Sequence, residues 1–136
     1  MMRIMVVEDE LVSRQKLSYN LKVYGIVNDF EDGESALIAF EKACIEKNYY
    51  SLVTLDIGMP KMGGLVVLNK MRAIEDEMNL SPENRAKIVM VTSHDDEMSI
   101  KFALSQKCDD YIIKPFEKSI IQERLERIGF VDPATN

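Results

Sequence analysis

The sequence predicts an α/β domain built on a parallel sheet, because five short apolar runs alternate with five amphipathic segments along its 136 residues. Two further observations point the same way. A chain of this length suits a single domain, which buries roughly two-thirds of its unfolded surface. The apolar runs also end in matching polar groups, Glu8-Asp9, Asp56, Thr92-Ser93 and Lys114, and the carboxyl edge of an open parallel sheet is where ligands bind.

Ile4 to Val7 reads as the first strand. Leu11-Val12, Leu17, Tyr19-Asn20-Leu21 and Tyr24 then recur at helical spacing, and Gly25 ends the run where a C′ glycine should stand. Ile26 to Phe30 is strand two, Asp32-Gly33 a turn, and Ser35 to Lys47 a helix whose face carries Ala36, Leu37, Ala39, Phe40, Ala43 and Cys44. Strand three, Ser51 to Leu55, delivers Asp56. The third helix opens after Gly63-Gly64 and runs to about Met78, and Asn79 to Asn84 is a loop with a proline break. Lys87 to Val91 is strand four, and Asp95-Asp96-Glu97 places carboxylates at the positive end of helix four, whose apolar side is Met98, Phe102, Ala103 and Leu104. Tyr111 to Ile113 is strand five. Helix five spans about Glu117 to Ile128 with Ile120, Ile121, Leu125 and Ile128 inward, closed by Gly129. The expected organisation is one domain over residues 1–128 and a C-terminal tail over 129–136.

A net charge of −6 and a pI near 4.9, with no run of Lys or Arg, argue against nucleic acid as a direct partner. Cys44 and Cys108 are the two cysteines and His94 the one histidine, a set that gives neither a disulfide framework nor a zinc-ligand spacing. The N-terminus has no signal-peptide pattern and no stretch approaches 18 apolar residues, so the expectation is a cytoplasmic protein without membrane insertion.

With strands one, three, four and five near one another, Glu8, Asp9, Asp56, Thr92 and Lys114 share one shallow pocket. Two carboxylates about 5 Å apart repel by roughly 3 kcal/mol at an effective dielectric near 20, so three favour a divalent cation. All-oxygen ligation with room for water suits Mg²⁺. Asp56 then serves as nucleophile in phosphoryl transfer, Lys114 as a charge clamp on a phosphoryl oxygen, and the Thr92 hydroxyl as a donor to another.

These residues, in this order and at these separations, are similar to the receiver domain of bacterial two-component response regulators, over about residues 3–128. The resemblance rests on Glu8-Asp9, on Asp56 to Gly64, on Val91-Thr92-Ser93 and on Lys114-Pro115-Phe116. It implies a doubly wound (βα)5 fold of the flavodoxin and CheY type, with strand order 2-1-3-4-5. It further implies a phosphoprotein rather than an enzyme in the ordinary sense, one that takes part in its own phosphorylation and dephosphorylation. Asp56 would receive the phosphoryl group from a sensor histidine kinase or a histidine phosphotransfer protein. Asp9, Asp56 and the Gly58 carbonyl would hold Mg²⁺, with Glu8 acting mostly through water. Lys114 would pair with the phosphoryl group, the Lys114-Pro115 bond would be cis, and Thr92 and Tyr111 would form the switch pair. The output would be a changed face around helix four, strand five and helix five that controls a downstream protein. The early end of the chain fits a free-standing receiver or a domain of a longer regulator.

Three positions depart from the family pattern. Gly63 stands where Asp is common. Gly58 and His94 flank the pocket where the family tunes dephosphorylation: the bare position 58 leaves the acyl phosphate open to water, while His94 either shields it or orients the attacking water. Two other classes of function are weighed against the receiver. A haloacid-dehalogenase-type phosphohydrolase also uses a strand-end Asp, but its D-x-D motif needs a second acid where this chain has Gly58. A receiver-like module that works without phosphorylation is opposed by the retention of every pocket group.

Overall fold

The structure, a computed structural model, describes residues 2–93, 97–105 and 107–133. Its elements follow in the order β1 (Arg3–Val7), α1 (Leu11–Leu21), β2 (Ile26–Phe30), α2 (Gly33–Ile45), β3 (Leu52–Asp56), α3 (Gly64–Glu77), a 3₁₀ turn (Pro82–Asn84), β4 (Lys87–Thr92), α4 (Glu97–Ser105), β5 (Asp110–Ile113) and α5 (Lys118–Arg127). All strand pairs are parallel and the sheet order is β2-β1-β3-β4-β5, as the resemblance implies.

Side chains alternate across the pleat, so the sheet buries two separate cores. Met5, Val7, Val53, Leu55, Ile88 and Met90 face α2 and α3, where Phe40, Val67, Leu68 and Met71 meet them. Ile4, Val6, Leu52, Val89, Val91 and Ile112 face α1 and α5, where Leu17, Leu21, Ile121 and Leu125 close the layer. Each fully buried aliphatic side chain stabilises the fold by ~1.5–3 kcal/mol relative to exposure. The β1 and β3 strands, covered on both faces, hold the crevice at their carboxyl ends rigidly.

Several local expectations are corrected. Gly25 is not a C′ glycine: α1 ends four residues earlier, at Leu21, and a Cβ at position 25 would stand 2.2 Å from the Met2 carbonyl oxygen, which also accepts the Ile26 N–H. Close backbone approach, not helix termination, requires glycine there. Leu11 and Val12 are exposed because they precede the buried stripe of α1. On α4, Met98, Phe102 and Leu104 are exposed and Ala103 alone of the expected apolar set is buried. Asp95 and Asp96, expected at the start of that helix, lie outside the described residues. The α2 helix begins two residues before Ser35, with Asp32 as N-cap accepting the Ser35 N–H at 2.8 Å. Gly129 does close α5, at φ +102°. Beyond it, Phe130 N–H donates to Leu125 O at 2.8 Å and buried Asp132 accepts from Gln122 Nε2 at 3.0 Å, which pins the segment to α5.

Candidate functional site

The connections from β1 and β3 leave the sheet in opposite directions, and the carboxyl ends of these two strands form the crevice that such a reversal creates. Glu8 follows β1, donates its N–H to Phe30 O at 3.0 Å, and has a fully buried side chain whose Oε2 accepts the Glu10 N–H at 3.2 Å. Asp9 comes next and is exposed. Asp56, the last residue of β3, is buried and its Oδ1 accepts the Gly58 N–H at 3.0 Å. One oxygen from each of these three carboxylates lies within 4.8 Å of the other two.

Lys114 follows β5 and reaches into this group, its Nζ 2.6 Å from Glu8 Oε1 and 3.5 Å from Asp56 Oδ2. Thr92 ends β4, is buried, and accepts the Lys114 N–H on its carbonyl at 2.6 Å. The Lys114-Pro115 peptide is cis. Glu8, Asp9, Asp56, Thr92 and Lys114 thus converge at one edge, with Gly58 in the loop beside them. Tyr111 lies further down β5, half-buried on the side of the sheet that faces α2 and α3. His94 lies outside the described residues.

The electrostatics of the cluster are strained by excess negative charge. Burial, reinforced by the neighbouring Asp56, pushes Glu8 up to about 7. Asp9 is also raised, by its partial burial and by Asp56. Burial pushes Asp56 up as well, but hydrogen bonding to Glu8, Asp9 and the Gly58 N–H, with the Lys114 charge, outweighs it and leaves Asp56 below the usual carboxylate range. Lys114 is held above its ordinary value: burial lowers it, and Glu8 and Asp56 more than reverse that. A single lysine does not balance three carboxylates, so the donor set fits a hard divalent cation.

Two glycines shape the loop above Asp56. At Gly64 a Cβ would stand 2.3 Å from the Asp56 carbonyl oxygen, so only glycine lets the start of α3 pack against the end of β3. At Gly58 the nearest atom to a built Cβ is Asp56 Oδ1 at 3.8 Å, which leaves open space over the carboxylate. Gly63 is the N-cap of α3 and supplies no side-chain cap, the local result of lacking Asp there.

Supporting residues escaped the sequence reading. Arg14 Nη1 donates to Glu8 O at 2.9 Å and its Nε lies 3.8 Å from Asp29, fixing the main chain at the acidic pair. Lys16 donates to the Phe116 carbonyl and lies over that ring, holding α1 to the loop after Lys114. Two residues apart on α1, they point to different sides, Arg14 toward β2 and Lys16 toward the loop after β5, and the i, i+6 and i, i+5 spacings of Arg14 from Glu8 and Asp9 were the available signal. A cleft of about 710 Å³ between the β2–α2 and β3–α3 loops touches the site only through Asp9. Asp56 and Lys114 do not line it, so it is not the reacting pocket.

The family model for the response regulator receiver domain matches residues 4–126. The chain belongs to this family. As a receiver domain it is a phosphoacceptor module of two-component signalling. Its sequence is 31% identical over 130 residues to Protein CcdB of Bacillus subtilis, covering 94% of this chain and 98% of that one. It is 30% identical over 128 residues to chemotaxis protein CheY1 of Helicobacter pylori, covering 92% and 94%. Against the probable transcriptional regulator ycf27 of Porphyra purpurea it is 32% identical over 127 residues, but there the receiver spans 46% of the relative's length. Among solved structures, the beryllofluoride-activated DrrB receiver domain superposes with a TM-score of 0.72 at 27% identity, over 93% of this chain and 97% of that one. CheY in the CheX-CheY-BeF3-Mg²⁺ complex of Borrelia burgdorferi gives 0.79 at 23% identity, over 93% and 88%, a likeness of fold. Among the described residues, no helix of the receiver is long and apolar enough to cross a membrane.

Proposed function

We propose that Asp56 is the phosphoacceptor of this receiver and that its modification switches the affinity of the domain for a partner protein. The observation that carries this reading is the buried Asp56 carboxylate, kept ionised within 3.5 Å of Lys114 Nζ and beside two further carboxylates. An Asp56 oxygen attacks the phosphorus of a phosphohistidine on a sensor kinase or phosphotransfer protein. The P–O bond forms as the P–N bond breaks, and the imidazole leaves with its electron pair and takes a proton from solvent. Lys114 neutralises one phosphoryl oxygen and the Thr92 hydroxyl donates to another. Asp9, Asp56 and the Gly58 carbonyl, with Glu8 through water, would hold Mg²⁺, whose charge would draw together the oxygens that meet in transfer.

Thr92 moving toward the phosphoryl group and the Tyr111 ring turning inward would carry the change to the face of α4, β5 and α5. Exposed Met98, Phe102 and Leu104 give that face the apolar character of a protein-binding surface. The free carboxylate and its phosphorylated form thereby bias a two-state equilibrium. Gly58 and His94 would set how long the phosphoryl group lasts.

The test is to incubate the protein with Mg²⁺ and a small acyl phosphate and to record intact mass. One added phosphoryl group on the wild type and none on Asp56→Asn is the expected result. An unmodified wild type, or undiminished labelling of Asp56→Asn, overturns the assignment.

A further inference from the structure

Both main-chain polar groups of Tyr111 are bound by side chains from the same neighbourhood. Its N–H donates to Asp110 Oδ1 at 2.8 Å, and its carbonyl accepts from Arg124 Nε at 3.1 Å. Asp110 is itself buried and faced by two arginines, with Arg127 Nε 3.3 Å from Oδ2 and Arg124 Nε 4.0 Å from Oδ1. On its other side the Arg124 guanidinium is held by Glu123 Oε1 at 2.6 Å. Asp110, Glu123 and the Tyr111 carbonyl therefore fix the guanidinium in place, with its central carbon 5.6 Å from the centroid of the Tyr111 ring. That is within the roughly 6 Å over which a cation is drawn to an aromatic face.

This arrangement separates the main chain of Tyr111 from its ring. The main chain is tethered at both polar groups, so the ring has rotation about its own side-chain bonds as its remaining freedom. The cation that lies against the ring is anchored by groups that do not move with it. Any rotation away from the present half-buried position leaves the guanidinium behind and forfeits the contact.

We propose that Arg124 is a positioning residue for Tyr111, holding the ring in its half-buried orientation and setting the threshold for its inward turn. This rests on the reading of Asp56 as the phosphoacceptor and of Tyr111 as the aromatic member of the switch. Occupation of Asp56 then works against Arg124 as well as against the packing of the ring. Removing the cation lowers that threshold and raises the affinity for a phosphoryl analogue by about two- to five-fold, the value of a partly exposed cation–aromatic contact.

Beryllofluoride with Mg²⁺ is titrated into the full chain by calorimetry for wild type, Arg124→Leu and Arg124→Gln, each with Tyr111 and with Tyr111→Ala. Glutamine keeps a donor for the Tyr111 carbonyl but no charge for the ring. The expected result is a two- to five-fold tighter affinity in both Arg124 variants, vanishing in the Tyr111→Ala background. A parallel ¹⁹F spectrum of 3-fluorotyrosine protein, assigned with Tyr111→Phe, should show the Tyr111 signal displaced toward its beryllofluoride-bound position in both variants before ligand is added. Unchanged or weaker affinity, an effect seen with Leu but not Gln, or one that persists in Tyr111→Ala overturns the role of Arg124. A wild type that binds no beryllofluoride overturns the phosphoacceptor reading itself, and this inference with it.

Discussion

Glu8 shows what a buried acid beside another carboxylate does to stability. Its carboxyl is raised from 4.5 to about 7 by burial and by Asp56. A group whose folded value is raised contributes most to stability below its unfolded value and loses that contribution as pH rises through the folded one. The metal-free protein should therefore lose stability between about pH 4.5 and 7 on account of this group. Glu8→Gln should stabilise the metal-free protein at pH 8 by about 1–2 kcal/mol, part of the value that a shift of this size carries. Urea melts in EDTA at pH 5 and pH 8 check this, the gain being confined to the higher pH. With saturating Mg²⁺ the wild type should recover stability that the variant does not, because the cation removes a repulsion already absent once the Glu8 charge is gone. A variant no more stable than wild type at pH 8 would contradict the charge balance described for the pocket.

Elements meet at this site through glycines, and their environments predict opposite outcomes for similar substitutions. Gly64→Ala drives a methyl group against the backbone at the end of β3, where no side chain can give way, and should cost about 1–3 kcal/mol. Gly58→Ala enters open space and should change stability by less than about 0.5 kcal/mol while altering the lifetime of the phosphorylated form. Thermal melts and the decay of phosphorylated protein by intact mass separate the two. The strand ends that build the site were legible in the sequence because short continuous apolar runs mark strands buried on both faces and the polar residues after them stand out. Gly25 was misread because a glycine after a helical run has the same pattern whether it terminates the helix or admits a neighbouring backbone. The outward faces of Met98, Phe102 and Leu104 were illegible for a related reason: helical spacing identifies a stripe without saying whether anything covers it.

Across the whole molecule, the edge opposite the site is held by a charge network with no motif in the sequence. Arg72 on α3 donates to Glu75 Oε1 at 2.7 Å, Ala86 O at 2.8 Å, Lys107 O at 3.1 Å and Asp109 Oδ2 at 3.0 Å. Glu75 is fully buried and also accepts the Ala86 N–H at 2.8 Å. One guanidinium thus ties α3 to the starts of β4 and β5. Glu75 falls on the same helical stripe as Leu68 and Met71, and a carboxylate on an apolar stripe was the trace available beforehand. Arg72→Ala should cost about 3–5 kcal/mol by leaving that carboxylate buried and unpaired, whereas Arg72→Met with Glu75→Met should restore much of it. Chemical denaturation of the single and double variants checks this, and equal losses in both would show that the network is worth more than its charges. The far side of the sheet carries a different consequence. The Tyr111 N–H and carbonyl point away from β4 and are stoppered by Asp110 and Arg124, so at that residue β5 offers no vacant rung for a foreign strand. A protein approaching the sheet edge at Tyr111 therefore meets side chains in place of a free strand rung, which guards that point of the edge against strand addition.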